Sequence, residues 1–112
     1  MEVFSRKVGK VSVVALSGRL TLGEVDDKLK KHFQALLDSG ERMFIFHLAA
    51  VPYVDSAGVG ELVACAKRAY ENGGVIKVVL PNDGLTYQIF VKTSLDKVFE
   101  LYDTEDQAVA SF

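Results

Sequence analysis

The chain has 112 residues, of which 49% are hydrophobic, and a formal net charge of −2 from 13 basic and 15 acidic side chains spread along its length. This is enough to bury one sizeable core and too little for two ordinary domains, so one domain over residues 1–112 is expected. No basic stripe offers a site for nucleic acid or anionic lipid, and a lone Cys65 excludes an internal disulfide framework. The most apolar run, Met43 to Val54, is broken by His47 and Pro52. With no signal-like or spanning segment, a cytoplasmic protein without nucleic-acid or membrane partners is expected.

Val3 to Val8 and Val11 to Leu16 are β-branched runs separated by Gly9-Lys10, the pattern of an antiparallel hairpin. From Glu24 the period lengthens: Val25, Leu29, Phe33, Leu36 and Leu37 fall on one helical face, and Gly40 stands where a C-terminal cap belongs. Met43 to Leu48 reads as a buried strand. Val59, Leu62, Val63, Ala66 and Tyr70 then recur at helical spacing as far as Asn72-Gly73-Gly74. Val75 to Leu80 is the next strand, stopped by Pro81-Asn82. Leu85, Ile89 and Phe90 indicate a third helix and Val98 to Tyr102 a short strand. Thr104 to Gln107 forms a capping box for a last helix with Ala108, Val109 and Phe112 facing in. The order β-β-α-β-α-β-α-β-α predicts a single α/β domain. Its sheet is mixed, because strands joined by helical crossovers must run parallel, and helices cover its apolar surface.

The stretch "VPYVDSAGVGELV", Val51 to Val63, places an acid, a serine and two glycines at a strand-to-helix junction. A hydrolase elbow would need G-x-S-x-G, but Val54 stands two residues before Ser56. His32 and His47 sit on a helix and a strand, where a histidine is more often a packing or surface residue. A phosphate loop would need further glycines or a lysine beside Gly58-Val59-Gly60, and no His, Cys and carboxylate cluster has metal-ligand spacing. No catalytic residue, cofactor or metal is indicated.

Two readings of the junction stay open. Asp55 or Ser56 caps the helix by offering an oxygen to its first-turn amides, which leaves the glycines unexplained. Alternatively, the helix is a docking surface. At 100° per residue, Val59, Leu62, Val63, Ala66 and Tyr70 share one side, while Ala57, Gly60, Glu61, Ala64 and Arg68 lie opposite. A strip of Ala57, Gly60 and Ala64 is small for a solvated face and would let another molecule approach closely. Cys65, near the border, is expected to be a partly buried small residue.

A strand followed by "VDSAGVGEL" and a helix resembles the D-[ST]-[STA]-G-[LVI]-G signature of the STAS domain. The likeness extends to "VVALSGRL" before the first helix and "TSLDKVFELYDTEDQAV" at the end. That fold is shared by bacterial anti-sigma factor antagonists and the tails of sulfate transporters. The resemblance implies that Ser56, following Asp55, matches the serine phosphorylated by an anti-sigma factor serine kinase. The unmodified form binds the anti-sigma factor and frees the sigma factor, phosphorylation ends the complex, and a PP2C-type phosphatase restores it. Asp55, Ser56, Ala57, Gly58, Gly60, Glu61, Ala64 and Arg68 become the expected partner-binding residues. The chain is then a phosphorylation substrate and not an enzyme. Ala57 replaces a second hydroxyl residue common in the family, so a neighbouring phosphosite is absent, and Thr21 and His47 depart from the commonest pattern, so contacts are not carried over at those two positions. The rival reading is a constitutively docked STAS subunit of a larger assembly, such as a lipid-transport ATPase or a stress-sensing complex; a small-ligand or nucleotide sensor is a third.

Overall fold

The two N-terminal β-branched runs pair as a hairpin in the computed structural model, which describes residues 1–23 and 25–112 and the side chains of all of these except Val25, Asp26 and Asp27. Strand β1 (Glu2–Val8) lies antiparallel to β2 (Val11–Ser17), with Val8 opposite Val11. Gly9 makes the turn possible at φ +60°, in the left-handed region that costs glycine nothing. The other strands, β3 (Met43–Ala50), β4 (Val75–Val79) and β5 (Glu100–Tyr102), add in parallel, and the order across the sheet is the order along the chain.

Each strand's alternation divides the core between two layers. Val14 and Leu16 of β2, Phe44, Phe46 and Leu48 of β3, and Ile76 and Val78 of β4 join one cluster with residues of the crossover helices. These are α1 (Lys31–Asp38), α2 (Ser56–Glu71), α3 (Gly84–Lys92) and a single turn, α4 (Leu95–Val98). Phe33 of α1 packs on Phe44 and Phe46 with ring centroids 4.8 and 5.6 Å apart. Val11, Val13, Ile45 and Val79 point to the other face, where, among the described residues, α5 (Glu105–Ala110) packs through Ala108.

The expected order of strands and helices is observed, with local differences. The first helix opens as a π-helical segment, Val25–Lys30, before α1. Glu24 and the side chain of Val25, both assigned to that helix from periodicity, lie outside the described residues. Leu29, Phe33 and Leu37 are buried as expected, and Gly40, at φ +99°, donates its amide to Leu37 O at 3.0 Å. Val98 closes α4 instead of opening a strand, because Ser94 at φ +60° starts a new turn. In α3 the buried positions are Thr86 and Phe90, and Leu85 is exposed. Thr104 caps α5, accepting from the Gln107 amide at 3.2 Å.

Phe112 does not face the core. It is exposed, and its ring lies 4.6 Å from the Nζ of Lys77, a buried lysine that also donates to Ser111 O at 2.8 Å and Ser111 Oγ at 2.9 Å. The ammonium thus keeps hydrogen-bonded and aromatic partners, as burial of a charge requires. Among the described residues no helix is long and apolar enough to cross a membrane.

Candidate functional site: the amino end of helix α2

The ends of β2 and β3 are tied together below Ser56. Leu20 bridges Val54 in parallel, its amide donates to Tyr53 O at 2.9 Å, and the Asp55 amide returns a bond to Leu20 O at 3.2 Å. The Arg19 guanidinium stacks 4.8 Å from the centre of the Tyr53 ring. Asp55 has extended backbone and is the cap of α2: one carboxylate oxygen accepts from the Gly58 amide at 2.9 Å, the other from the Leu22 amide at 3.0 Å. These two backbone donors, Gly58 first, hold the Asp55 carboxyl below the usual carboxylate range, and the Arg19 charge adds to them. Capping falls to Asp55, so Ser56, the first residue of α2, is an exposed alcohol.

The two glycines have different causes. A Cβ on Gly58 would lie 2.3 Å from Leu20 O and 2.7 Å from Val54 Cγ1, so that position must be bare for α2 to seat on the strand ends. Gly60 is exposed, and a Cβ there would meet nothing within 4 Å. Crowding explains the first and not the second.

The faces of α2 differ from those expected. Its buried stripe is Gly58, Glu61, Leu62, Cys65 and Ala69, whereas Val63 is 41% exposed and Tyr70 83%. The helix is rotated by about one residue's step, 100°, from the periodicity reading. It touches β4 and is flanked by the π-helical segment and α4. Close seating puts small side chains inward and leaves two large ones out. Ser56, Gly60, Val63, Lys67 and Tyr70 make the outer stripe, with Ala57 and Ala64 half-buried at its rim.

Two expected outward residues are therefore corrected. Glu61 is only 8% exposed; one of its oxygens accepts from Arg68 Nη2 and from Cys65 Sγ at 3.3 Å. Arg68 is half-buried and turned toward that carboxylate, with its Nε buried and unpartnered. The pair satisfies charges that the rotation brings inward. Cys65 is fully buried, not partly, and burial together with the Glu61 carboxylate pushes its thiol far up, leaving a packing residue without a reactive thiolate.

His32 binds Ser5 through its ring at 2.8 Å, and His47 stands in β3 at a position whose alternation shares the α5 side with Ile45. Among the described residues no group of three or more His, Cys, Asp or Glu could hold a metal ion. Leu22, Val63, Lys67 and Tyr70 are surface residues that the sequence reading missed. The signal available for the last three was the spacing of Gly58, Cys65 and Ala69, seven and four residues apart on one helical face, small residues that mark close packing.

An exposed serine after a capping aspartate, on a helix crossing a mixed sheet, agrees with a family match: the STAS domain model matches residues 4–108. The chain belongs to the STAS domain family. An inferred anti-sigma factor antagonist of Thermotoga maritima is 29% identical over 77 residues, 69% of this chain and 67% of that protein. Among solved structures, an anti-sigma factor antagonist from Mycobacterium paratuberculosis is 26% identical and superposes with a TM-score of 0.87, covering 98% of this chain and 92% of that one. The antagonist SpoIIAA in its unphosphorylated form, 20% identical with a TM-score of 0.71 over 98% of this chain and 96% of its own, shares the fold of this STAS domain. The Thermotoga and Mycobacterium relatives of this STAS domain are thus described as anti-sigma factor antagonists.

Proposed function

We propose that this chain is an anti-sigma factor antagonist whose unphosphorylated form binds an anti-sigma factor serine kinase and releases the sigma factor, and that phosphorylation of Ser56 ends this binding. The observation that carries the reading is the division of labour at the amino end of α2. Asp55 caps the helix and binds the loop before it, while Ser56 remains an exposed hydroxyl beside an exposed glycine that its own fold does not need.

In the transfer, the Ser56 oxygen attacks the γ-phosphorus of ATP, the phosphoester forms as the bond to the β-phosphate oxygen breaks, ADP leaves, and the serine proton is released. The kinase supplies metal, nucleotide and base; this chain supplies the alcohol. The product carries roughly 1.5 to 2 added negative charges at a helix amino end, where the macrodipole and amides favour them, so the fold tolerates the change. The effect falls on the partner surface. A hundredfold loss of affinity needs about 2.7 kcal/mol, which like-charge contact across an interface supplies. A separate PP2C-type phosphatase resets the serine.

Incubation with the kinase, magnesium and labelled ATP is expected to place one phosphate on the wild-type chain and none on Ser56→Ala. Magnesium and ATP alone should give no labelled product. Ser56→Asp should bind the anti-sigma factor at least about a hundredfold more weakly than Ser56→Ala. Equal affinity of the two variants would instead identify a constitutively docked subunit.

A further inference from the structure

One cation stands beside Ser56 with its hydrogen-bonding edge unused. Leu20 and Val54 bridge the ends of β2 and β3, and Leu20 O accepts the Asp55 amide at 3.2 Å, one residue after Arg19 and one before Ser56. By covalent geometry the path through that bond from the Arg19 Cα to the Ser56 Cα is at most about 15 Å, which an extended arginine and a phosphoserine together span. Both residues are exposed. The Arg19 guanidinium lies over the Tyr53 ring, Cζ 4.8 Å from its centre. A ring engages the face of a guanidinium and leaves the N–H donors, which lie in its plane, to other acceptors. The Asp55 carboxylate feels the Arg19 charge, but its oxygens are already taken by the Gly58 and Leu22 amides. Among the described residues no hydrogen bond or ion pair occupies the Arg19 donors.

We propose that Arg19 binds the phosphate once Ser56 carries it, donating its N–H fork to the phosphate oxygens while the Tyr53 ring holds its face. This rests on the antagonist reading above. The added group brings three strong acceptor oxygens and roughly 1.5 to 2 negative charges. The first turn of α2 does not satisfy them alone, because the Asp55 side chain occupies the Gly58 amide and the Asp55 carbonyl the Val59 amide. The Asp55 carboxylate, one residue away, is a like charge that a cation offsets. A guanidinium matches a phosphate in shape, with two parallel donors where a lysine offers a point charge. Held on Tyr53, Arg19 loses little freedom in making the contact, and the phosphate gains one fixed position on the surface that the partner reads. Arg19 is thus a positioning residue for the switch, and in the unmodified chain its edge stays open.

The test places phosphoserine at position 56 of the whole chain by genetic encoding, so that no kinase is needed, and follows the second phosphate ionisation by phosphorus NMR. An arginine contact favours the dianion. The midpoint, near pH 6 for a free phosphoserine, is therefore expected to lie lower in the wild-type background and to rise by about half a unit in Arg19→Gln, with Arg19→Lys between the two. Asp55 and the α2 amides are common to all three chains and cancel in the comparison. The Arg19 Nε–H resonance of the otherwise wild-type chain should also shift between the unmodified and phosphorylated forms, a readout that needs no arginine variant. Equal midpoints in wild type and Arg19→Gln, or an Arg19 resonance indifferent to phosphorylation, overturn the proposal and leave the antagonist reading intact. Failure of the anti-sigma factor serine kinase to label Ser56 overturns that reading instead, and the part of Arg19 in the switch with it, whatever the midpoints show.

Discussion

Gly58 and Gly60 stand two positions apart on one helix and should respond oppositely to the same added methyl. Gly58→Ala forces a carbon against Leu20 O and Val54, and overpacking of this kind costs about 1–3 kcal/mol. Gly60→Ala enters open space and should stabilise the chain by up to about 1 kcal/mol, the difference in helix propensity, while weakening attachment of the anti-sigma factor. Urea denaturation checks the first pair of effects, and a binding titration the second. Only the two results together, a gain in stability and a loss of binding, would assign Gly60 to the partner surface, because stabilising substitutions alone are common.

Asp55 ties the cap to pH. Its carboxyl is lowered in the folded chain, so the stabilisation it gives is complete above the ordinary aspartate value of about 3.9 and is lost as pH falls through the lower folded value. Asp55→Ala should cost about 1 kcal/mol near neutrality, and the gap to the wild type should narrow as pH falls below the ordinary aspartate value. Chemical denaturation from pH 7 to 2.5 on both chains measures this.

Helix α2 illustrates what periodicity can and cannot resolve. Its existence follows from the spacing of apolar residues, and the neighbourhood of its start from the Asp55-Ser56 pair, of which the structure makes Asp55 the cap. Its rotation does not, because the sequence reading let the largest apolar residues define the inner face. Contact with β4 and the flanking segments instead selects Gly58, Cys65 and Ala69, and Val63 and Tyr70 turn outward. The inward turn of Glu61 was legible only in retrospect, from an arginine two helical turns later. Because this pair is largely buried, Glu61→Ala should cost about 2–3 kcal/mol by leaving Arg68 without its partner, somewhat less than for a fully enclosed pair because Arg68 keeps some solvent. The double variant Glu61→Leu, Arg68→Met should recover most of that loss. A double-mutant cycle on unfolding free energies decides it, and additive losses would mean the pair is not coupled.

At the scale of the whole molecule, the element order was readable because glycine and proline punctuate it: Gly9, Gly40, Gly73-Gly74 and Pro81 each fall between elements. The family signature around Ser56 was readable for the same reason, as a short run whose residue types answer to geometry: Asp55 to the cap, Gly58 to close packing. What stayed hidden depends on contacts far apart in sequence. Lys77 looks like an exposed charge in a β-branched strand until the chain end folds Ser111 and Phe112 over it. The π-helical opening of the first helix and the outward position of Leu22 are likewise set by neighbours and not by local pattern.

The strand order runs from β1 to β5 without a skip. A nascent chain emerging amino end first therefore always has the edge it needs already laid down, and no later segment must be threaded between two earlier ones. By the time the ribosome has released Ala50, three adjacent strands are available to each other. The serine that follows enters a framework whose supporting half is already complete.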